Sequence, residues 1–166
     1  MNRTERIAKL VKLVEKSPEG IKSRKKFHKL VYLLQETGED FDQNYIFHNY
    51  GVFSPTLASD LDNAVERDVL SVSIEEKDFK EYIYTKGTEK ICGESIEIEK
   101  MDLIKKLIFE EPRFLEVLST IVYLDRFHYK GKELISKLKE LKPKHKPYYD
   151  NALRMAKNLF QISVER

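Results

Sequence analysis

Residues 54–85, "SPTLASDLDNAVERDVLSVSIEEKDFKEYIYT", decide the fold class. Ser54-Pro55 sets an N-cap hydroxyl before a first-turn proline, whose missing N–H costs nothing there. The helix opened in this way carries Leu57, Leu61, Ala64 and Val65 along one face. Val69–Ile74 and Glu81–Thr85 are β-branched and aromatic and read as two strands joined across Glu75-Glu76-Lys77-Asp78. Helix, hairpin and then "YTKG" is the order of a winged helix-turn-helix.

Immediately upstream, Tyr45–Tyr50 reads as a short aromatic strand, and Gly51 permits a turn that a Cβ would hinder. Ile46, His48 and Tyr50 share a strand face by the period of two. His48 is therefore expected to be hydrogen-bonded near Tyr32 or Tyr50 rather than reactive. Two helices precede the strand. Asn2 and Glu5 form a capping box for the first, with Ile7, Leu10, Val11 and Val14 on one face, and Ser17-Pro18-Glu19-Gly20 ends it. The second repeats the spacing with Phe27, Leu30, Val31 and Leu34, and stops at Gly38.

Downstream the chain is helical from Lys100. Met101–Phe109 is one amphipathic segment, and Glu111-Pro112 restarts a second with Phe114, Leu115, Leu118, Ile121 and Val122. Leu134, Ile135, Leu138 and Leu141 stripe a third. Pro143 and Pro147 bracket a basic joint, before a last helix with Ala152, Ala156, Leu159 and Phe160. The expected fold is a predominantly helical α+β domain. A winged-helix-like portion, residues 1–95, includes a small β-hairpin, and a C-terminal helical portion, residues 96–166, packs on it to form one compact domain.

A chain of 166 residues is long enough to bury a core, and 41% apolar with 35% charged residues describes a charge-rich globular protein. No apolar run approaches the roughly 20 residues that span a bilayer. The first sixteen residues read as an amphipathic helix rather than a secretion signal. A single cysteine, Cys92, excludes an intrachain disulfide and a cysteine-based zinc cluster, so a reducing cytoplasm is expected. Net charge is only +2, yet residues 130–147 carry seven lysines against two glutamates, residues 21–29 carry five cations, and residues 57–78 are acidic. Such a field favours oriented docking on a charged partner.

Catalytic signatures are missing from the sequence: there is no Gly-rich phosphate loop, no H-E-x-x-H and no nucleophile elbow. Neither a catalytic residue nor a cofactor is expected. His28, His48, His128 and His145 are the only histidines, and none is spaced as a local ligand pair, so no metal is expected. Asp60, Asp62, Glu66 and Asp68 read as a solvated acidic face. That face falls on the helix that would enter a major groove, which disfavours nucleic acid through the wing, since cations meeting phosphates dominate such binding. On the second helix, Lys22, Lys25, Lys29 and Tyr32 line up opposite the apolar face at spacings of three, four and three. This cationic stripe is the candidate partner-binding surface.

The segments "SRKKFHKLVYLLQETG" (23–38) and "FHNYGVFSPTL" (47–57) resemble YwgA-like proteins and, more distantly, the SocA-like or Panacea antitoxin domain. Lys26, Phe27, Lys29, Leu30 and Tyr32 match the first part of that pattern, and Tyr50, Gly51, Ser54 and Leu57 match the second. His28 stands where the pattern has glutamine, and Val52 where it has proline. His28, His48, Tyr50, Gly51, Ser54 and Pro55 thus make up the motif. The resemblance implies a mostly helical fold around a small winged-helix-like element without established catalysis. In the Panacea relatives the domain neutralises a toxin by binding it, sometimes as an adaptor to a protease. The functional expectation is a cytoplasmic, non-enzymatic protein-interaction module, possessing no membrane segment and leaving homo-oligomerisation open. The alternatives are a DNA-binding regulator that uses basic surface residues and an enzyme or metal protein built around His48 and Tyr50.

Overall fold

Asn2 caps the first helix as its spacing predicts: its Oδ1 accepts from the Glu5 amide at 2.9 Å, and Glu5 returns a carboxylate to the Asn2 amide at 3.0 Å. This helix, α1 (Arg3–Glu15), opens a computed structural model that describes residues 1–49, 51–78, 80–93 and 96–163. Strand β1 (Ile21–Lys22) and helix α2 (Arg24–Glu36) follow, then a small antiparallel pair, β2 (Ile46–His48) and β3 (Gly51–Phe53). Helix α3 (Pro55–Glu66) leads into β4 (Leu70–Glu76) and β5 (Lys80–Lys86). The first sheet has the order β1-β5-β4, antiparallel throughout, with Ile21 opposite Tyr84 and Val72 opposite Tyr84 on the other side. The chain is thus α+β and predominantly helical. Gly20, at φ +74°, enters β1 so close to β5 that a Cβ would lie 2.4 Å from the Tyr84 carbonyl oxygen.

The rest is helical: α4 (Met101–Leu107), α5 (Pro112–Arg126), α6 (Gly131–Leu141), a 3₁₀ turn over Pro143–Tyr148, and α7 (Tyr149–Phe160). Helix α5 is central. Leu115, Val117, Leu118, Ile121 and Val122 are all fully buried, and the helix packs on α2 and β3 on one side and on α6 and α7 on the other. One hydrophobic cluster runs from Ile7 in α1 to Phe160 in α7, so residues on both sides of position 95 share a core. The segment that enters α4 is held from a distance. Glu39 Oε1 accepts from the amides of Glu99 and Lys100, while its Oε2 pairs with buried Lys9 at 3.0 Å.

Several expectations need correction. The lysine stripe is not one exposed helix face. Lys22 belongs to β1, and Ser23, at φ +80°, breaks the backbone between that strand and α2. Of the four residues, Lys22 and Lys25 are exposed, whereas Lys29 is 3% and Tyr32 4% exposed. Helix α2 is covered on a second side because β3 and α5 pack there, and no helical wheel of α2 alone can show that. Tyr32 lies against Tyr45 and Tyr123 with ring centroids 5.1 and 6.4 Å apart. Gly51, read as permitting a turn, instead begins strand β3 (Gly51–Phe53).

The acidic face is also not wholly solvated. Asp60 is 0% exposed and accepts from Arg6 Nε at 2.8 Å, Arg6 Nη2 at 3.1 Å and Gln43 Nε2 at 2.9 Å, with Arg3 Nε at 3.6 Å. Asp62 is exposed and pairs with Arg24 at 2.8 Å. Removing one partner of a buried pair strands the other's charge, whereas exposed pairs contribute little. Asp60→Ala is expected to lower unfolding free energy by about 3 kcal/mol, and Asp62→Ala by under ~1 kcal/mol. Denaturant unfolding of both variants checks this.

Candidate functional site

Consecutive residues on a helix point about 100° apart, so His28 and Lys29 are buried together only because α2 is enclosed on two sides. They meet the β2–β3 hairpin. Lys29 Nζ donates to the Val52 carbonyl at 3.0 Å. Beside that bond, Gly51 adopts φ +96° with its α-carbon turned onto the site. A Cβ there would reach Glu116 Cγ at 3.5 Å, Lys29 Cε at 3.6 Å and Thr120 Oγ1 at 3.7 Å. The space is sufficient, but the left-handed backbone is the reason for glycine.

Glu116 projects from α5 and gathers the other polar groups. His145 Nε2 stands 2.8 Å from its Oε2, and Lys142 Nζ stands 3.6 Å from the same oxygen. Lys142 Nζ also donates to the Asn49 carbonyl at 3.4 Å and lies 5.9 Å from the Phe47 ring centroid. Its backbone carbonyl accepts from the Tyr149 hydroxyl. Burial dominates the acid–base behaviour here. It pulls Lys29 down to about 8, opposed by Glu116 and assisted by Lys142 and Lys25. Burial likewise lowers Lys142 and His145, with Glu116 acting in the opposite direction.

On the other side of Lys29 opens a cleft of about 230 Å³ lined by Arg24, Lys25, His28, Lys29, His48 and Phe53. The His28 ring stacks on Phe53 at 4.6 Å with an interplanar angle of 19°, and the exposed His48 meets the same ring at 5.9 Å. His28 Nδ1 accepts from the Ser54 amide at 3.1 Å, and Ser54 Oγ in turn accepts from the Leu57 amide at 3.1 Å, capping α3 with Pro55 in its first turn. The imidazole is held neutral. Burial, together with the cations Lys29 and Arg24, lowers its pKa to about 3.

No family model matches the chain. Over 161 residues, 93% of this chain and 96% of the other, it is 29% identical to the uncharacterized protein YwgA of Bacillus subtilis (strain 168). The chain is YwgA-like. The likeness seen in residues 23–38 and 47–57 therefore extends along nearly the whole YwgA-like sequence.

The motif residues His28, Gly51 and Ser54 do converge, as does His48, through Phe53; Tyr50 lies outside the described residues. His28 is a hydrogen-bonded histidine of the motif, through its Nδ1. Tyr32 faces Tyr45, whose hydroxyl donates to the His28 carbonyl at 2.7 Å. Among the described residues, no group of three or more His, Cys, Asp and Glu is placed to hold a metal ion, and no helix is long and apolar enough to cross a membrane. Sequence reasoning missed Glu116, with Lys142 and His145 paired to it, as the polar surroundings of Lys29. Glu116 had left one signal: it is the lone charge in the apolar stripe "FLEVLSTIV".

Protonating His28 forfeits the bond from the Ser54 amide and adds a positive charge beside Lys29 and Arg24. Its folded pKa of about 3 lies below the ordinary 6.5, so this stability is present above pH 6.5 and is lost as pH falls towards 3. Relative to His28→Gln, the wild type should lose roughly 2–3 kcal/mol between pH 6.5 and pH 4.5, at about 1.4 kcal/mol per pH unit. Denaturation midpoints of the two proteins across that range test the sign.

Proposed function

We propose that the chain is a cytoplasmic, non-enzymatic protein-interaction module, antitoxin- or adaptor-like in action, whose partner docks between the α4–α5 corner and α7. One observation carries the reading: Phe109 is 73% exposed at the edge of a groove of about 740 Å³. Phe114, Met155 and Leu159 supply its apolar floor, and Lys106, Glu110, Glu111 and Arg154 supply a mixed-charge rim. Exposed aromatics beside apolar grooves with charged rims are the usual anchors of protein interfaces. The groove replaces the lysine stripe as the docking surface, since Lys29 and Tyr32 are interior. The resemblance of residues 23–38 and 47–57 to the Panacea domain supports binding to a protein such as a toxin, and the catalytic signatures missing from the sequence favour a binding role.

A DNA-binding regulator of winged-helix type is the second reading. Its support is the burial of Asp60 under Arg6, which removes one negative charge from the α3 surface. Phosphate contacts would show as steep loss of binding with salt and as sensitivity to Lys25→Glu.

Phe109→Glu leaves the core untouched and is expected to weaken a partner recovered from native lysate by roughly thirtyfold, about 2 kcal/mol. Quantitative pull-down with wild type and variant is the measurement. Recovery of nucleic acid alone by the wild type, or equal protein recovery by the variant, overturns the groove reading.

A further inference from the structure

The His28 ring is 2% exposed, and its two nitrogens have different fates. Nδ1 accepts from the Ser54 amide, so the proton of the neutral imidazole sits on Nε2. Nε2 is buried and has no hydrogen-bond partner among the described residues. A buried N–H donor without an acceptor is costly, and such a group in a native fold calls for an explanation. The ring that carries it lines the 230 Å³ cleft, whose other walls are Arg24, Lys25, Lys29, His48 and Phe53.

Every titratable side chain on that wall is basic. Arg24 is engaged by Asp62 at 2.8 Å and by the Ala58 carbonyl at 2.9 Å, so it forms a fixed edge. Lys29 spends one donor on the Val52 carbonyl, and an ammonium has three. Glu116, the carboxylate that acts on Lys29, is already shared by Lys142 and His145. The charged groups acting on His28 are both cations. Phe53 adds an aromatic face. A concave, partly apolar site with a few convergent donors is the usual form of a small-ligand pocket, though this one is smaller than the roughly 300–1,000 Å³ of drug-sized sites.

We propose that the cleft between α2 and the β2–β3 hairpin binds a small organic molecule bearing an oxyanion, carboxylate or phosphate. His28 Nε2–H and the Lys29 ammonium hold the oxyanion, and the apolar body of the ligand rests on Phe53. None of these residues belongs to the α4–α7 groove, so the site stands or falls independently of the docking reading.

The test uses the full ¹⁵N-labelled chain at constant ionic strength, titrated separately with benzoate and with inorganic phosphate up to about 10 mM. The readouts are the His28 imidazole nitrogens in long-range proton–nitrogen correlation spectra and the dissociation constant by calorimetry. A saturable shift of His28 Nε2 is expected with at least one probe. The benzoate arm reports a carboxylate on an apolar body, and the phosphate arm reports a phosphate group. His28→Phe and Lys29→Met are each expected to weaken binding at least tenfold, and Lys86→Met, remote from the cleft, is expected to change nothing. If either cleft variant fails to fold, the wild-type Nε2 shift decides. No saturable shift with either probe, or undiminished binding by folded His28→Phe and Lys29→Met, overturns the proposal.

Discussion

A buried ammonium has to be surrounded by oxygen, and that requirement at Lys29 organises how the two halves of the chain meet. Its Nζ takes the carbonyl of Val52, which seats the β2–β3 hairpin on α2. The hairpin can lie that close because Gly51 turns with φ +96° directly over Lys29, Glu116 and Thr120. Glu116 then brings α5 into the same polar centre and holds Lys142 and His145 from the segment that ends α6 and begins the 3₁₀ turn. Five parts of the fold meet around one charge. Burial lowers the pKa of Lys29, and Glu116 opposes that shift without cancelling it.

The surplus positive charge gives this region its character. Lys142 and His145 share Glu116, Lys29 feels the same carboxylate, and a neutral histidine lines the adjacent cleft, whose titratable lining residues among those described are basic. Structural motifs usually satisfy their own polar atoms. Among the described residues the motif satisfies Nδ1 of His28 and leaves Nε2, a division that suits a fold built to receive an acceptor from outside. The hydrophobic groove at Phe109 lies among α4, α5 and α7 and shares no lining residue with the cleft. A binding module with one aromatic groove and one basic cleft has two separable recognition chemistries.

Charge counting along a sequence was least reliable where burial intervened. Asp60 looked like part of a repelling acidic surface, yet it is an interior anchor that ties α1 to α3 through Arg6 and reaches the segment before β2 through Gln43. Lys29 and Tyr32 looked like a solvated face, yet both are interior for the same reason. Periodicity reports which side of a helix is most apolar; it does not report how many sides are covered. A second covering layer drawn from residues 46–53 and 112–126 converted polar positions on α2 into core.

The sequence by itself determined the elements whose signals are local. The capping box at Asn2 and Glu5, the Ser54-Pro55 helix start, the apolar stripes of α1, α2 and α5, and the β4–β5 hairpin all rest on contacts within a few residues. The motif residues were legible as a group through their likeness to YwgA-like proteins, although the stacking of His28 on Phe53 was not. Only the tertiary structure decided that β1 joins the sheet beside β5, that residues 51–53 form a strand, and that Lys142 and His145 assemble on Glu116, whose charge acts on Lys29. Glu116 and Lys142 lie 87 and 113 positions beyond Lys29, 116 − 29 and 142 − 29. Nothing in local propensity encodes such pairings. They arise when α5 buries its apolar face on α2 and carries Glu116 to where the buried cations need it.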